Sequence, residues 1–208
     1  MSNRINIQSK VRKLVFIAML SAIVLLMATT PLGYLRLGPV SITFLAIPVV
    51  VAGIVLGPVE GTIVGLIFGA TSFAQCFGAD PLGTSLFAVN PFLTGVMCFL
   101  PRLLIGLFSG LSFRFFSNII RNTNTRYISA SYVASSLVGS FTNSIFFIGL
   151  MLLFFWNTPE IQSFGDDVLT VLSVLFTANV FIEAGVCLVL SASLSKVLSF
   201  LTKKYTSQ

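Results

Sequence analysis

The sequence predicts an all-α membrane protein, a six-transmembrane-helix bundle with both the N- and C-termini in the cytoplasm. Of its 208 residues, 56% are hydrophobic and 9% are charged, whereas an ordinary soluble domain carries about 25% charged residues. The apolar residues fall into six runs, and about 20 residues are enough for a helix to cross a bilayer. Basic residues collect on one side of these runs, which is typical of the cytoplasmic face.

The helix boundaries follow from charged residues and from Pro and Gly punctuation. Gly57-Pro58 marks the turn between the second and third helices. The basic N-terminal stretch precedes an apolar run that is too long for a signal peptide, so we expect a retained first helix. The six helices consume most of the chain and predict a single membrane domain, residues 1–208. They are predicted near 12–30, 40–56, 60–77, 91–116, 127–156 and 168–198.

The distribution of Lys and Arg sets the predicted orientation. Ten of the twelve basic residues flank helix ends on one side, which the positive-inside rule makes cytoplasmic. The net charge of +6 is therefore a topology signal, and nucleic-acid binding is not expected. Two connections on the opposite side, Pro31 to Pro39 and Gly78 to Asn90, are rich in Gly and Pro yet keep apolar residues. They are either ordinary loops or lids that pack against something.

Small residues recur every fourth position on three predicted helices, a spacing that lets helix backbones approach closely in lipid. For the glycines, packing inside the bundle is the favoured interpretation. For the alanines on the first helix, contact with a separate membrane partner is nearly as plausible. The residues are Gly61, Gly65 and Gly69, Gly106 and Gly110, and Ala18 and Ala22.

Two ionisable residues lie near the middle of apolar helices, Arg102 and Glu183. A charge at this depth costs roughly 2.5 to 3.5 kcal/mol on insertion scales. Either the two side chains pair with each other, or they bind a ligand. We favour a ligand because Asn143 and Asn179 fall at similar depth, and Asn179 lies one helical turn before Glu183.

The chemistry of this polar set predicts the kind of ligand. A guanidinium offers a planar fork of donors that suits carboxylate or phosphate, and the amides and the carboxylate can accept hydroxyl or amide protons. A small, polar, anionic metabolite fits. Asn90 would either cap the fourth helix, which we favour, or face the same cavity. Gln75 is a weaker candidate.

Enzyme functions are not supported. Histidine is absent from the sequence, which removes Ser-His and Cys-His dyads, and the phosphate-binding pattern G-x-x-x-x-G-K-[ST] is absent too. The three cysteines, Cys76, Cys98 and Cys187, are widely spaced and are predicted to be buried packing residues. We expect no metal ion and no cofactor. The open alternatives are a stand-alone proton-coupled carrier that uses Glu183, and an assembly factor with a structural Arg102–Glu183 pair.

The order of several motifs resembles the substrate-binding S components of energy-coupling factor (ECF) vitamin transporters. These motifs are the run LGPVSITFLAIPVVVAGIVLGPVEGTIVGLIFGATS, then NPF, LPRLLIGLFSGL, GSFTNSIFFIGL and a final N-x-x-x-E. The resemblance implies a prokaryotic plasma-membrane protein that captures a water-soluble vitamin at the outer face. It also implies partners, namely a membrane scaffold subunit and two cytoplasmic ATPases that power uptake.

The resemblance also assigns residues. It places the vitamin site at Asn90, Arg102, Asn143, Asn179 and Glu183. Its P-R-x-L-x-G segment is closest to pantothenate-type members, in which Arg102 would pair with the vitamin carboxylate.

The family's small-residue scaffold contact is matched by Ala18 and Ala22, with Ser21 expected on the same surface. The chain lacks a Trp or Tyr cluster to stack on an aromatic vitamin, so flavin, folate and thiamine are disfavoured as ligands. Pyridoxine and a pyrimidine precursor of thiamine stay open.

Overall fold

In a computed structural model, residues 2–162, apart from short gaps, form seven helices and one β-hairpin. The described residues are 2–30, 33–37, 40–123 and 128–162, together with 185, 187–191, 193, 194 and 197. The elements in chain order are α1 (Ser2–Thr29), β1 (Tyr34–Leu37), β2 (Val40–Thr43), α2 (Ala46–Val55), α3 (Pro58–Gln75), α4 (Pro81–Val89), α5 (Pro91–Thr123), α6 (Ile128–Phe155) and α7 (Pro159–Gln162).

The predicted helical character is confirmed, and the described helices include candidates for membrane spans. Within the described residues, three helices contain segments long and apolar enough to cross a membrane, Lys10–Thr29, Pro91–Ile119 and Ala130–Phe155. Helix α2 is apolar but shorter. Most of the predicted helix at 168–198 lies outside the described residues, and residues 187–191 there are helical.

The β-hairpin corrects the predicted start of the second helix. Residues 40–43 form strand β2, which pairs antiparallel with β1 so that Tyr34 lies opposite Thr43. The helix itself begins at Ala46. The sequence Val-Ser-Ile-Thr carries three β-branched residues, which favour an extended backbone, but its apolar content continues into α2 and mimics a longer helix. The predicted loop from Pro31 to Pro39 therefore contains a strand.

Helix α4 corrects the second predicted loop, Gly78 to Asn90. Asp80 caps this helix, because its carboxylate accepts a hydrogen bond of 2.9 Å from the backbone N–H of Gly83. Pro81 occupies the first turn, where its missing N–H and fixed φ do no harm. The Gly and Pro residues that suggested a loop are thus the start of a helix.

Glycines bring α2, α3 and α5 into backbone contact. A Cβ added to Gly61 of α3 would lie 2.6 Å from the Cα of Gly53 in α2 and 2.8 Å from the carbonyl oxygen of Gly106 in α5. A Cβ on Gly110 would lie 2.6 Å from the Cα of Pro58. No side chain fits these positions, which confirms that the Gly ridges serve internal packing.

Helix α2 lies at the centre of the bundle. Its residues 46–54 are all buried, and it packs against α1, α3, α5 and α6. Ten consecutive residues without a charge allow this, since no side chain of α2 needs water. A second apolar cluster, around Leu86, Met97 and Phe155, joins α4, α5 and α6.

The two ends of the bundle differ in character. At one end, the Nζ of Lys13 in α1 lies 2.7 Å from Oε1 of Glu60 in the first turn of α3. At the other end, the amide nitrogen of Gln75 donates a 2.9 Å hydrogen bond to the carbonyl oxygen of Ala28. The hairpin follows α1 at this second end, which we call the hairpin end, and α4 lies there between α3 and α5.

Candidate ligand-binding site

Arg102 is buried between two aromatic rings. Its side chain is 5% exposed. The guanidinium carbon lies 5.2 Å from the ring centroid of Phe68 in α3 and 4.6 Å from that of Phe147 in α6. Both distances are within the range of cation–π attraction. Helices α3, α5 and α6 therefore meet around one positive charge.

Within the described part of the chain, the guanidinium of Arg102 is only partly hydrogen-bonded. Its Nη1 donates to the carbonyl oxygen of Met97 at 3.1 Å, one turn earlier in α5. Its Nε has no hydrogen-bond partner in the described part of the chain, and no described carboxylate lies within ion-pair distance of it. A guanidinium carries five N–H donors and no acceptor, so this buried group can donate two parallel hydrogen bonds to a bidentate anion.

Tyr34 of strand β1 brings a second buried polar group to the same region. Its hydroxyl is buried, without a well-formed hydrogen bond among the described residues. Burial raises the pKa of Tyr34 above its ordinary value, although the charge of Arg102 and the neighbouring hydroxyls of Ser72 and Thr71 act in the opposite direction. The phenol therefore stays protonated at neutral pH and can donate.

Asn143 lies on α6, facing the same region. It is 4% exposed and precedes Phe147 by one helical turn, so the two side chains share a helix face. Since Phe147 contacts Arg102, the amide of Asn143 lies on the side of α6 that meets α5. The structure thus places Arg102 and Asn143 on two helices that pack together, and their joint role in a ligand site stays a prediction.

Asn90 caps helix α5. Its Oδ1 accepts hydrogen bonds from the backbone N–H groups of Phe92 at 3.1 Å and Leu93 at 3.2 Å. This geometry satisfies two otherwise unpaired donors of the first turn. The favoured interpretation of Asn90 as a capping residue is confirmed. Gln75, the weaker candidate, donates to the carbonyl oxygen of Ala28.

Asn179 and Glu183, the other two predicted ligand residues, lie outside the described residues. On helix α1, Ala18 and Ala22 are exposed, and their contact with a partner stays a prediction. Ser21 is 8% exposed, so the prediction that it shares their surface is wrong. It lies on the packed face of α1 with its buried neighbours Leu20 and Val24, about a quarter turn away from Ala22.

Sequence reasoning missed three residues of this region, Tyr34, Phe68 and Phe147. The two phenylalanines are among 21 in the chain, so composition could not single them out. For Phe147 one signal was present, its position one turn after an asparagine in an apolar run. For Tyr34 the signal was its place in a predicted outer loop, where a lone aromatic hydroxyl stands out.

Two comparisons of this sequence with known proteins bear on the function of the candidate site. A family model described as the ECF transporter substrate-specific component matches residues 12–195. The pantothenate transporter PanT of Leuconostoc mesenteroides subsp. mesenteroides is 33% identical over 121 residues, which cover 56% of this chain and 56% of the relative. The chain therefore spans little more than half the length of the curated relative that it matches.

Proposed function

The chain belongs to the family of ECF transporter substrate-specific components, and we propose that it captures a water-soluble vitamin, pantothenate, at the outer face of the membrane. Members of this family bind transported substrates and are not enzymes. In the proposal, partner subunits hydrolyse ATP to drive uptake, and this chain supplies affinity and specificity. The similarity to a pantothenate transporter supports the choice of vitamin.

The observation that carries the proposal is the buried guanidinium of Arg102. A charge at this depth is costly in lipid unless something compensates it. Two aromatic faces supply part of the compensation, but the Nε donor has no partner in the described chain. Pantothenate carries a carboxylate, which a guanidinium binds through two parallel hydrogen bonds. We assign the vitamin carboxylate to Arg102.

The remaining groups suit the rest of pantothenate, which contains an amide, two hydroxyls and two methyl groups. The Tyr34 hydroxyl and the Asn143 amide are suited to hydrogen bonds with the amide and the two hydroxyls of the vitamin. The rings of Phe68 and Phe147 suit the methyl groups. The proposed site also includes Asn179, Glu183 and, beyond its capping role, Asn90.

The assembly around this chain is part of the proposal. We infer six membrane spans within a single membrane domain, with both termini in the cytoplasm of a prokaryotic cell. Lys13 and Glu60, at the end of the bundle opposite the hairpin, would then face the cytoplasm, and the hairpin and α4 would face outward. The exposed Ala18 and Ala22 of α1 would contact the scaffold subunit, which in turn carries two ATPases.

Mass spectrometry of small molecules released from the purified chain tests the vitamin directly. We expect pantothenate to co-purify, and added pantothenate to bind in calorimetry more tightly than pyridoxine or a thiamine pyrimidine precursor. Tighter binding of either competitor would overturn the choice of vitamin. Liposomes that contain this chain alone should not take up pantothenate when a pH gradient is applied. Uptake there would instead support a proton-coupled carrier.

A further inference from the structure

Two cysteines that are far apart in the sequence touch in the fold. The sulfur of Cys76, at the C-terminal end of α3, lies 3.8 Å from the sulfur of Cys98 in α5. The two side chains are 3% and 2% exposed, and all three cysteines of the chain are free thiols. The sequence prediction of buried cysteines is confirmed, but their 22-residue separation gave no sign of this contact.

The thiol pair lies beside the region around Arg102. Cys98 precedes Arg102 by one helical turn on α5, and Cys76 follows Ser72 by one turn on α3. Helix α4 covers the pair from the hairpin end, since a Cβ added to Gly83 would lie 2.9 Å from the Cys76 sulfur. The two sulfurs therefore lie between α4 and the Arg102 region.

We propose that Cys76 and Cys98 form an oxidisable pair, which a small peroxide converts to a disulfide that links α3 to α5. Hydrogen peroxide oxidises one thiol to a sulfenic acid and releases one water. The second thiol then displaces that hydroxyl as a second water while the S–S bond forms. Two thiols are thus oxidised, and one peroxide is reduced to two waters. The burial of both sulfurs restricts the oxidant to a molecule of this size.

The packing of α3 on α5 makes the reaction geometrically accessible. A disulfide needs sulfurs about 2.05 Å apart, so the pair must close by roughly 1.8 Å. About two turns before Cys76, α3 is in backbone contact with α5, because a Cβ on Gly69 would lie 3.1 Å from the Cα of Phe99 and 3.3 Å from the carbonyl oxygen of Cys98. This contact holds α3 against the segment of α5 that carries Cys98, and closure of the two sulfurs requires rotation of their side chains with a shift of the end of α3.

Cys187 provides a matched control within the same chain. It is 1% exposed, as buried as the other two, but its sulfur lies 3.7 Å from the hydroxyl oxygen of Ser191. Its apolar neighbours belong to the cluster around Val24 and Leu45, not to the α4 region. Burial alone therefore does not distinguish Cys187 from the pair, and only the sulfur contact does.

The test uses the full chain in detergent without ligand, so its outcome is independent of the proposed vitamin. After treatment with hydrogen peroxide, the protein is denatured, alkylated with N-ethylmaleimide and weighed. We expect alkylated cysteines to fall from three to one, with return to three after dithiothreitol. Cys187→Ala should fall from two to none, and Cys76→Ala should keep two.

A second readout guards against misfolded variants. The wild-type chain, once oxidised, should melt roughly 3 °C or more above its reduced form, because the cross-link closes a loop in the unfolded chain. Three alkylated cysteines after peroxide treatment would overturn the proposal, as would an equal loss of thiols in Cys76→Ala and in Cys187→Ala. A disulfide without any rise in melting temperature would overturn the claim that it links helices that already pack together.

Discussion

The guanidinium carbon of Arg102 lies 4.6 Å from the ring centroid of Phe147, so the positive charge of α5 contacts the face of an aromatic ring of α6. A buried cation–π contact of this kind is worth about 2 kcal/mol. Together with the ring of Phe68 at 5.2 Å, such contacts are comparable to the roughly 2.5 to 3.5 kcal/mol that insertion scales assign to a charge at the centre of a membrane. The two rings therefore hold the charge in place, and a ligand carboxylate would add hydrogen bonds that the rings cannot supply.

Replacing Arg102 with glutamine should weaken pantothenate binding by about 10- to 100-fold, because a lost hydrogen bond to a charged group is worth roughly 1.5 to 3 kcal/mol. Isothermal titration calorimetry at neutral pH measures this change. The matched control is Arg114→Gln, which removes an exposed charge three turns further along α5. Equal affinity in both variants would remove Arg102 from the site.

Phe147→Leu should weaken pantothenate binding by about 5- to 30-fold, since it removes the aromatic face worth 1 to 2 kcal/mol that holds the guanidinium in place. The control is Phe146→Leu, whose ring stacks instead on Phe108 at 6.3 Å between centroids. Calorimetry of the two variants side by side checks the prediction. If Phe146→Leu had the larger effect, the site would lie on another face of α6.

Gly65→Ala should destabilise the protein by about 1 to 3 kcal/mol, as overpacking does in a close helix contact. An added Cβ would collide with the carbonyl oxygen of Arg102 and lie 3.0 Å from its carbonyl carbon. The control is Gly149→Ala on α6, where an added Cβ meets no atom of the described residues within 4 Å. Thermal unfolding in detergent should show Gly149→Ala unchanged or slightly stabilised, because alanine is the better helix former.

Ala18→Leu combined with Ala22→Leu should abolish co-purification with an ECF scaffold subunit while leaving pantothenate affinity within about twofold. Larger side chains would hold the partner helix away from the exposed stripe of α1. Ala70→Leu changes an exposed alanine on α3 and serves as the control. Retained association in the double variant would place the scaffold contact elsewhere.

The long helices could be predicted because a bilayer demands long apolar runs, and such runs stand out in any sequence. The hairpin and α4 could not be predicted on that basis. Val40–Thr43 continues without a break into the apolar α2, and the Gly and Pro residues of α4 fall in its first turn, where they are tolerated. Both elements depend on local backbone chemistry rather than on hydrophobicity.

The candidate site also contains residues that the sequence could predict and residues that it could not. Arg102 and Asn143 could be predicted because a charge or an amide is conspicuous within an apolar helix. Tyr34 and Phe68 reach the same region only through the path of the hairpin and the packing of α3 on α5. Aromatic residues are common throughout this chain, so their convergence on one charge is a property of the packing.

The glycine contacts among α2, α3 and α5 have a consequence for how the protein moves. Helices that meet backbone to backbone at Gly53, Gly61 and Gly106 have no side-chain layer between them that could rearrange. Helices α2, α3 and α5 therefore form a rigid unit, which we call the frame, and Arg102 belongs to it as a residue of α5. Under the proposed function, an opening that admits the ligand would therefore come from elements outside this frame, and the hairpin that carries Tyr34 is one of them.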